Sequence, residues 1–207
     1  KQLYYLELTL KKIKDNPEDP KAYADAGIIY YNYKHDLDKA LYYFKGALKV
    51  DPKYSVAYNY IAKILIETGF KQEAIDILKK SIDLGLGNDT TYVNLGVIYM
   101  GVNKLTEAIT MFQKAAELNP SKSAPHYNLG LIYVREQKLN LAKEEFKIAL
   151  RLNPRDARSY IHLAKVYTLL NEPKKSIHYY QILVDGGHPD KEALIKVINE
   201  LKNKIYK

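Results

Sequence analysis

Residues 92–120 read YVNLGVIYMGVNKLTEAITMFQKAAELNP. Large and small residues recur here at helical steps: Tyr92, Leu95, Gly96 and Tyr99, then Ala108, Phe112 and Ala115, with Pro120 closing the stretch. Residues three and four apart share one face of a helix, so each half is an amphipathic helix, and the loss of phase between Tyr99 and Ala108 is a turn. The same ladder recurs on both sides. Tyr58, Tyr92, His126 and Tyr160 are 34 residues apart, as are Leu86, Pro120, Pro154 and His188, while Tyr23 precedes Tyr58 by 35. A fixed period in this range marks stacked helix–turn–helix units, none of which can bury its apolar stripe alone.

The ladder is matched closely in three units. The third carries every position quoted above. The fourth has Leu129, Gly130, Tyr133, Ala142, Phe146, Ala149 and Pro154, with His126 in place of the opening aromatic. The first has Tyr23, Gly27, Tyr30, Ala40, Phe44, Ala47 and Pro52, with one extra residue expected near Lys34 and His35. The second keeps Tyr58, Ile61, Ala62 and Ala74 but departs at Leu65, Leu78, Ser81 and Leu86. The fifth keeps Tyr160, Leu163, Tyr167 and Tyr180 but has Ala164, Ser176, Leu183 and His188. The pattern resembles the tetratricopeptide repeat (TPR), a unit of about 34 residues. The resemblance covers about residues 20–188 and implies an all-α fold, a right-handed α-solenoid (superhelix) of stacked helix–turn–helix repeats. The expected division is an N-terminal helix at 1–19, repeats at 20–53, 54–87, 88–121, 122–155 and 156–189, and a C-terminal capping helix at 190–207.

Composition bounds the function. The chain has 207 residues, of which 47% are hydrophobic, as in an ordinary folded protein. It has no cysteine, which excludes disulfides and cysteine metal sites. No apolar run is long enough to span a membrane. The chain opens at Lys1, from which we expect a fragment or processed form. That leaves room for a removed upstream signal or anchor; a cytoplasmic location is favoured otherwise. The net charge of +8 suggests acidic partners, although lysines spread along a solvated exterior account for it equally simply. Twenty tyrosines without a basic block argue against a nucleic-acid stacking surface.

The chain in order predicts first helices at about 20–33, 54–68, 88–102, 122–136 and 156–170. Second helices follow at about 37–50, 71–84, 105–118, 139–152 and 173–185. Leu3, Leu6, Leu10 and Ile13 make one stripe of the N-terminal helix. Leu194, Val197, Ile198, Leu201 and Ile205 make that of the last, whose lysines supply a polar outer face. Asp51-Pro52, Asn119-Pro120 and Asn153-Pro154 end second helices, because proline biases the residue before it away from the helical region. Leu84-Gly85-Leu86-Gly87-Asn88 replaces that turn, and we expect both glycines to supply backbone freedom. Gly96 is expected to face Ala108 across the helix pair, and Ala115 to make room for the following first helix.

No catalytic constellation is visible. The five histidines stand at 35, 126, 162, 178 and 188. The repeat would bring His126 and His162 toward each other across the groove, but without a carboxylate or cysteine they make a poor metal site, and packing in the slot of an absent Tyr accounts for His126 better. Gly85-Leu86-Gly87 follows no strand and is no phosphate cradle. We expect no enzyme activity, no metal and no cofactor.

The resemblance implies a concave groove lined by first helices. Two residues after each opening aromatic stand Asp25, Tyr60, Asn94, Asn128 and His162. The family often places asparagine there to hold a peptide backbone, a task suited to a carboxamide, which both donates and accepts. A local role for these asparagines is the alternative. Other groove positions are Ile28, Tyr31, Lys63, Ile66, Val93, Val97, Met100, Tyr127, Leu131, Val134, Arg135, Arg158, Ile161 and Lys165. The candidate peptide-binding residues are therefore Asn94, Asn128, Tyr60, Lys63, Val97, Met100, Tyr127, Leu131, Arg135, Arg158, His162 and Lys165. The two-carboxylate clamp of some family members is poorly matched: Asn128 and Arg158 suit it, while Val93, Val97 and His162 do not. The expected function is a non-catalytic protein-interaction scaffold or adaptor, binding a peptide or protein segment of acidic and apolar character. The alternatives are a module that self-assembles through its end helices, and the adaptor region of a larger enzyme or membrane-anchored protein.

Overall fold

The computed structural model describes residues 2–205, and of Gln2 and Leu3 only the backbone, so Leu3 of the expected N-terminal stripe lies outside the described side chains. Twelve α-helices and no strand occur among the described residues. They are α1 (Gln2–Asp15), α2 (Pro20–Ile29), α3 (Leu37–Val50), α4 (Ser55–Glu67), α5 (Lys71–Asp83), α6 (Asp89–Gly101), α7 (Leu105–Leu118), α8 (Ser123–Arg135), α9 (Leu139–Leu152), α10 (Ala157–Leu169), α11 (Pro173–Asp185) and α12 (Lys191–Ile205). Two compact units divide at Val102 and Asn103, so Gly96 belongs to the first and Ala108 to the second. Within each unit every helix packs on the next, and α4 also touches α6 as α8 touches α10. This is the solenoid logic: first helices lie beside first helices, with second helices behind them.

Small residues set the packing. Ala40, Ala47, Ala74, Ala108, Ala115, Ala142 and Ala149 are fully buried, and the two departures to serine, Ser81 and Ser176, are buried as completely. Serine keeps the small volume but brings a hydroxyl that needs a partner, which Ser176 finds in the Thr168 hydroxyl at 2.7 Å. Leu183 is the large departure, and what lies against it is α12, through the cluster of Leu194, Ile198 and Leu201. Two glycines of the first helices lie against rings: a Cβ on Gly27 would lie 2.9 Å from the Phe44 ring, and one on Gly130 would lie 2.7 Å from that of Phe146.

Turn chemistry repeats with the fold. First helices α4, α8 and α10 end with a left-handed residue, Gly69, Gln137 and Asn171. In each the next amide closes onto a carbonyl five residues back: Phe70 to Leu65, Lys138 to Tyr133 and Glu172 to Tyr167, all at 2.8 Å. This is the Schellman closure. The first pair differs. Tyr30–Lys34 is a π-helix, His35 takes the left-handed position, and the amide of Asp36 reaches back to Tyr30, one residue further than in the other pairs. The extra residue expected near Lys34 and His35 is thus absorbed inside the helix, as a π-bulge absorbs an insertion. One consequence is that Tyr31, expected on the groove, is buried in the first core cluster.

Gly85 alone supplies the left-handed backbone of the α5–α6 corner, at φ +74. Gly87 provides space instead, since a Cβ there would lie 3.0 Å from Ile82 Cγ1. Asn88 then starts α6 with a reciprocal cap: it accepts from the Thr91 amide at 3.0 Å, and its own amide donates to the Thr91 hydroxyl at 3.3 Å.

Candidate functional site

In the first unit the site is built on α4 and α6. Tyr60 stacks on the buried Phe44 ring, with centroids 4.7 Å apart and planes 11° apart. It also meets Tyr31 edge-on at 5.7 Å. The Lys63 ammonium lies 4.6 Å from the centroid of the Tyr31 ring, where the π face attracts a cation. The Tyr31 hydroxyl donates to the Glu67 carboxylate, and burial with that hydrogen bond pushes the phenol pKa well up. Tyr60, Lys63 and Asn94 line one cleft of about 430 Å³. The structure therefore brings together three residues that the sequence singles out separately.

The same cleft is lined by Val56, Asn59, Asn88 and Thr90, which the pattern reading missed. Asn88 Oδ1 is held as an acceptor by the Thr91 amide, so the Asn59 side-chain amide must point its nitrogen toward it, at 3.4 Å. That leaves Asn59 Oδ1 buried without a partner. The missed signals were the Asn88-x-x-Thr91 capping pattern and an asparagine one residue after the opening Tyr58. The carboxamide of Asn94 has no hydrogen bond to another described residue and is half-buried at the cleft wall. Val97 and Met100 continue along α6, both half-buried.

In the second unit the site is built on α8 and α10. His162 stacks on the buried Phe146 ring, 5.6 Å between centroids and 19° between planes, and meets Tyr127 edge-on at 5.7 Å. The Arg158 guanidinium lies 4.9 Å from the Tyr127 centroid, and its Nε donates to Asp156 Oδ1 at 3.0 Å. Burial would raise the Asp156 pKa, but the Ser159 hydroxyl and Arg158 outweigh it and hold the carboxyl below its usual value. Burial, reinforced by Lys165, lowers the His162 pKa, so this imidazole is neutral at pH 7.

The remaining predicted residues divide. Leu131 packs against the core beside Tyr127, while Lys165 and Arg135 are exposed. Asn128 differs from Asn94: its amide nitrogen donates to the Ala124 carbonyl of its own helix at 2.9 Å. The local role weighed for these asparagines is therefore realised in Asn128, which spends one amide hydrogen on its own helix and keeps Oδ1 and the second hydrogen. His126 and His162 have separate environments, since His126 Nδ1 pairs with Glu145 across α8 and α9 at 2.8 Å. His126 thus fills the place of the absent tyrosine with a group that hydrogen-bonds Glu145. Among the described residues no three histidine or carboxylate groups are placed to hold a metal ion.

Family profiles described as TPR repeat and as tetratricopeptide repeat match residues 102–137 and 127–191. Residues 102–191 of this chain are tetratricopeptide repeats. The rat mitochondrial import receptor subunit TOM70 is similar to it, 32% identical over 78 residues. That match takes in 38% of this chain but 13% of the receptor, so the chain spans a small part of the curated relatives it matches. Among solved structures, yeast Tom70 superposes with a TM-score of 0.80 at 16% identity, over 98% of this chain and 44% of that one. YrrB, a TPR protein described as having an unusual peptide-binding site, superposes at 0.64 with 21% identity, over 93% and 98% of the two chains. At these identities the superpositions show the fold, which is the TPR solenoid class. Such repeats are protein-interaction elements and generally act as non-catalytic scaffolds. No helix among the described residues is long and apolar enough to cross a membrane.

Proposed function

We propose that this TPR protein is a non-catalytic adaptor or receptor module. Its five repeats, divided at 20–53, 54–87, 88–121, 122–155 and 156–189, hold a segment of a partner protein on the faces of the first helices. The observation that carries this reading is the α4–α6 cleft, where the Asn94 carboxamide stands beside the Tyr60 ring and the Lys63 ammonium. Asn94 offers a backbone amide a donor and an acceptor, Tyr60 offers a segment an apolar floor, and Lys63 favours a nearby carboxylate. On the second unit Tyr127, Arg158, His162 and Lys165 offer the same classes of group, with Asn128 as an acceptor. Val97, Met100, Leu131 and Arg135 extend these faces. The preferred segment has apolar anchors and acidic groups. The import-receptor and peptide-binding descriptions of TOM70 and YrrB accord with a role in recognising protein segments.

The test is a pull-down from native lysate with the wild-type protein and the Asn94→Ala/Asn128→Ala variant side by side, at matched helicity. A partner retained by the wild type and lost by the variant supports the reading. Equal retention by both removes the two asparagines from the site. A second reading, self-association through an end helix, is favoured by the exposed Tyr4, Tyr5 and Leu8 of α1. It requires a concentration-dependent mass in light scattering, and a mass that stays monomeric at all concentrations rules it out.

A further inference from the structure

A second cleft, of about 800 Å³, lies between α3 and the turn joining α1 to α2, and none of the residues lining it lines the α4–α6 cleft. Its floor is the Tyr23 ring and its wall is α3. The Tyr23 ring lies directly on Gly46: a Cβ at that position would lie 2.7 Å from Tyr23 Cδ1. At the matching positions of the later second helices stand Lys80, Lys114, Ile148 and Ile182, long side chains where this pair has none. Tyr42, Lys45 and Lys49 follow at helical steps of three and four on the same face of α3, and all three are exposed. Tyr42 is 69% exposed, although an aromatic ring gains most from being covered. Lys45 and Lys49 make no ion pair with a described residue, so both ammonium groups are available to a ligand. Glu18 stands at the opposite rim.

The geometry points to a second binding site here, for an acidic peptide segment carrying an apolar side chain. The carboxylates pair with Lys45 and Lys49, and the apolar group lies against the rings of Tyr23 and Tyr42. Glu18 repels a carboxylate at the α1–α2 side, so the acidic end of the segment lies over α3. Charge complementarity selects this occupant: two cations and one exposed ring stand on one face of α3, beside the Tyr23 ring. The chain's net charge of +8 attracts such a segment at long range.

The test is a ¹H–¹⁵N NMR titration of the full chain with an N-acetylated, C-amidated peptide, Glu-Asp-Leu-Glu-Glu-Phe-Asp-Glu, and with its Gln/Asn counterpart. We expect the amides of Tyr42, Lys45, Gly46 and Lys49 to move with the acidic peptide and not with the neutral one. The affinity read at those amides falls about tenfold or more in Lys45→Glu/Lys49→Glu, whose reversed charges sit on an exposed face and leave the spectrum otherwise intact. Tyr42→Ala weakens binding without that reversal of charge. Asn94→Ala/Asn128→Ala leaves these shifts unchanged, which separates this site from the first-helix faces. Shifts confined to the first helices, or equal affinity in the charge-reversed variant, overturn the assignment. So does an oligouridylate that moves the same amides at lower concentration than the acidic peptide, because it makes the site one for nucleic acid.

Discussion

Phe44 and Phe146 occupy the same place in two helix pairs, one in each unit, and each carries a ring sixteen residues further on: Tyr60 on Phe44 and His162 on Phe146. The two stacks are alike in geometry and unlike in consequence. Tyr60 is one wall of an open cleft beside a free carboxamide, whereas His162 packs edge-on to Tyr127, which carries the guanidinium of the Arg158–Asp156 pair. The intervening pairs place Asn94 and Asn128 at that position, and again the two differ, one amide unengaged and the other tied to its own helix. Equivalent repeat positions thus share backbone geometry, while the chemistry of each is set by the neighbour that repeat happens to supply.

Several measurements can break or sharpen this comparison. The largest effect is expected from removing the shared rings. Phe44→Ala and Phe146→Ala should each destabilise the protein by roughly 3–5 kcal/mol in denaturant unfolding, because both side chains are fully buried. A much smaller loss in either would mean that the stack above it is not anchored in the core. Next comes overpacking: Gly27→Ala and Gly130→Ala push a methyl into those rings and should cost about 1–3 kcal/mol. Smaller again are the cations. Lys63→Ala should lose about 0.5–1 kcal/mol of stability, since its ammonium lies over the Tyr31 ring at an exposed site.

The smallest effect is one of slope. His162 has a folded-state pKa lowered chiefly by burial. As pH falls below about 6.5, the unfolded chain takes up a proton that the folded chain resists. Stability should therefore decline from there down to the folded pKa and be fully present above about pH 6.5. His162→Phe should remove that part of the pH dependence in denaturant melts at pH 5 and pH 7.5, and an unchanged slope would show that the imidazole titrates freely.

Much of the fold was legible because repeats state each rule several times. The proline turns, the buried small residues and the 34-residue phase all recur, and the helices run within about two residues of their expected ends except in the first pair. There the count placed one extra residue near Lys34 and His35 but not the way the helix absorbs it, as a π-helix over Tyr30–Lys34. The left-handed residues His35, Gly69, Asn103, Gln137 and Asn171 keep the 34-residue step, which puts the insertion before His35. The candidate site was less legible. Stepping from the opening aromatic found Tyr60, Asn94, Asn128 and His162, but that count treats them as equals. Whether an amide bonds its own helix, as Asn128 does, depends on a rotamer and a neighbouring carbonyl. Asn59 and Asn88 escaped because they work as a pair 29 residues apart.

The central claim is best tested by separating the two asparagines that the repeat makes equivalent. The affinity of the partner captured by the wild-type protein should be measured for Asn94→Ala and Asn128→Ala singly. Asn94→Ala loses a carboxamide with no bond in the fold, and should weaken binding about tenfold, while Asn128→Ala, whose amide is held to the Ala124 carbonyl by one of its two hydrogens, should weaken it by less than about threefold. Equal losses from both, or none from Asn94→Ala, would contradict the account.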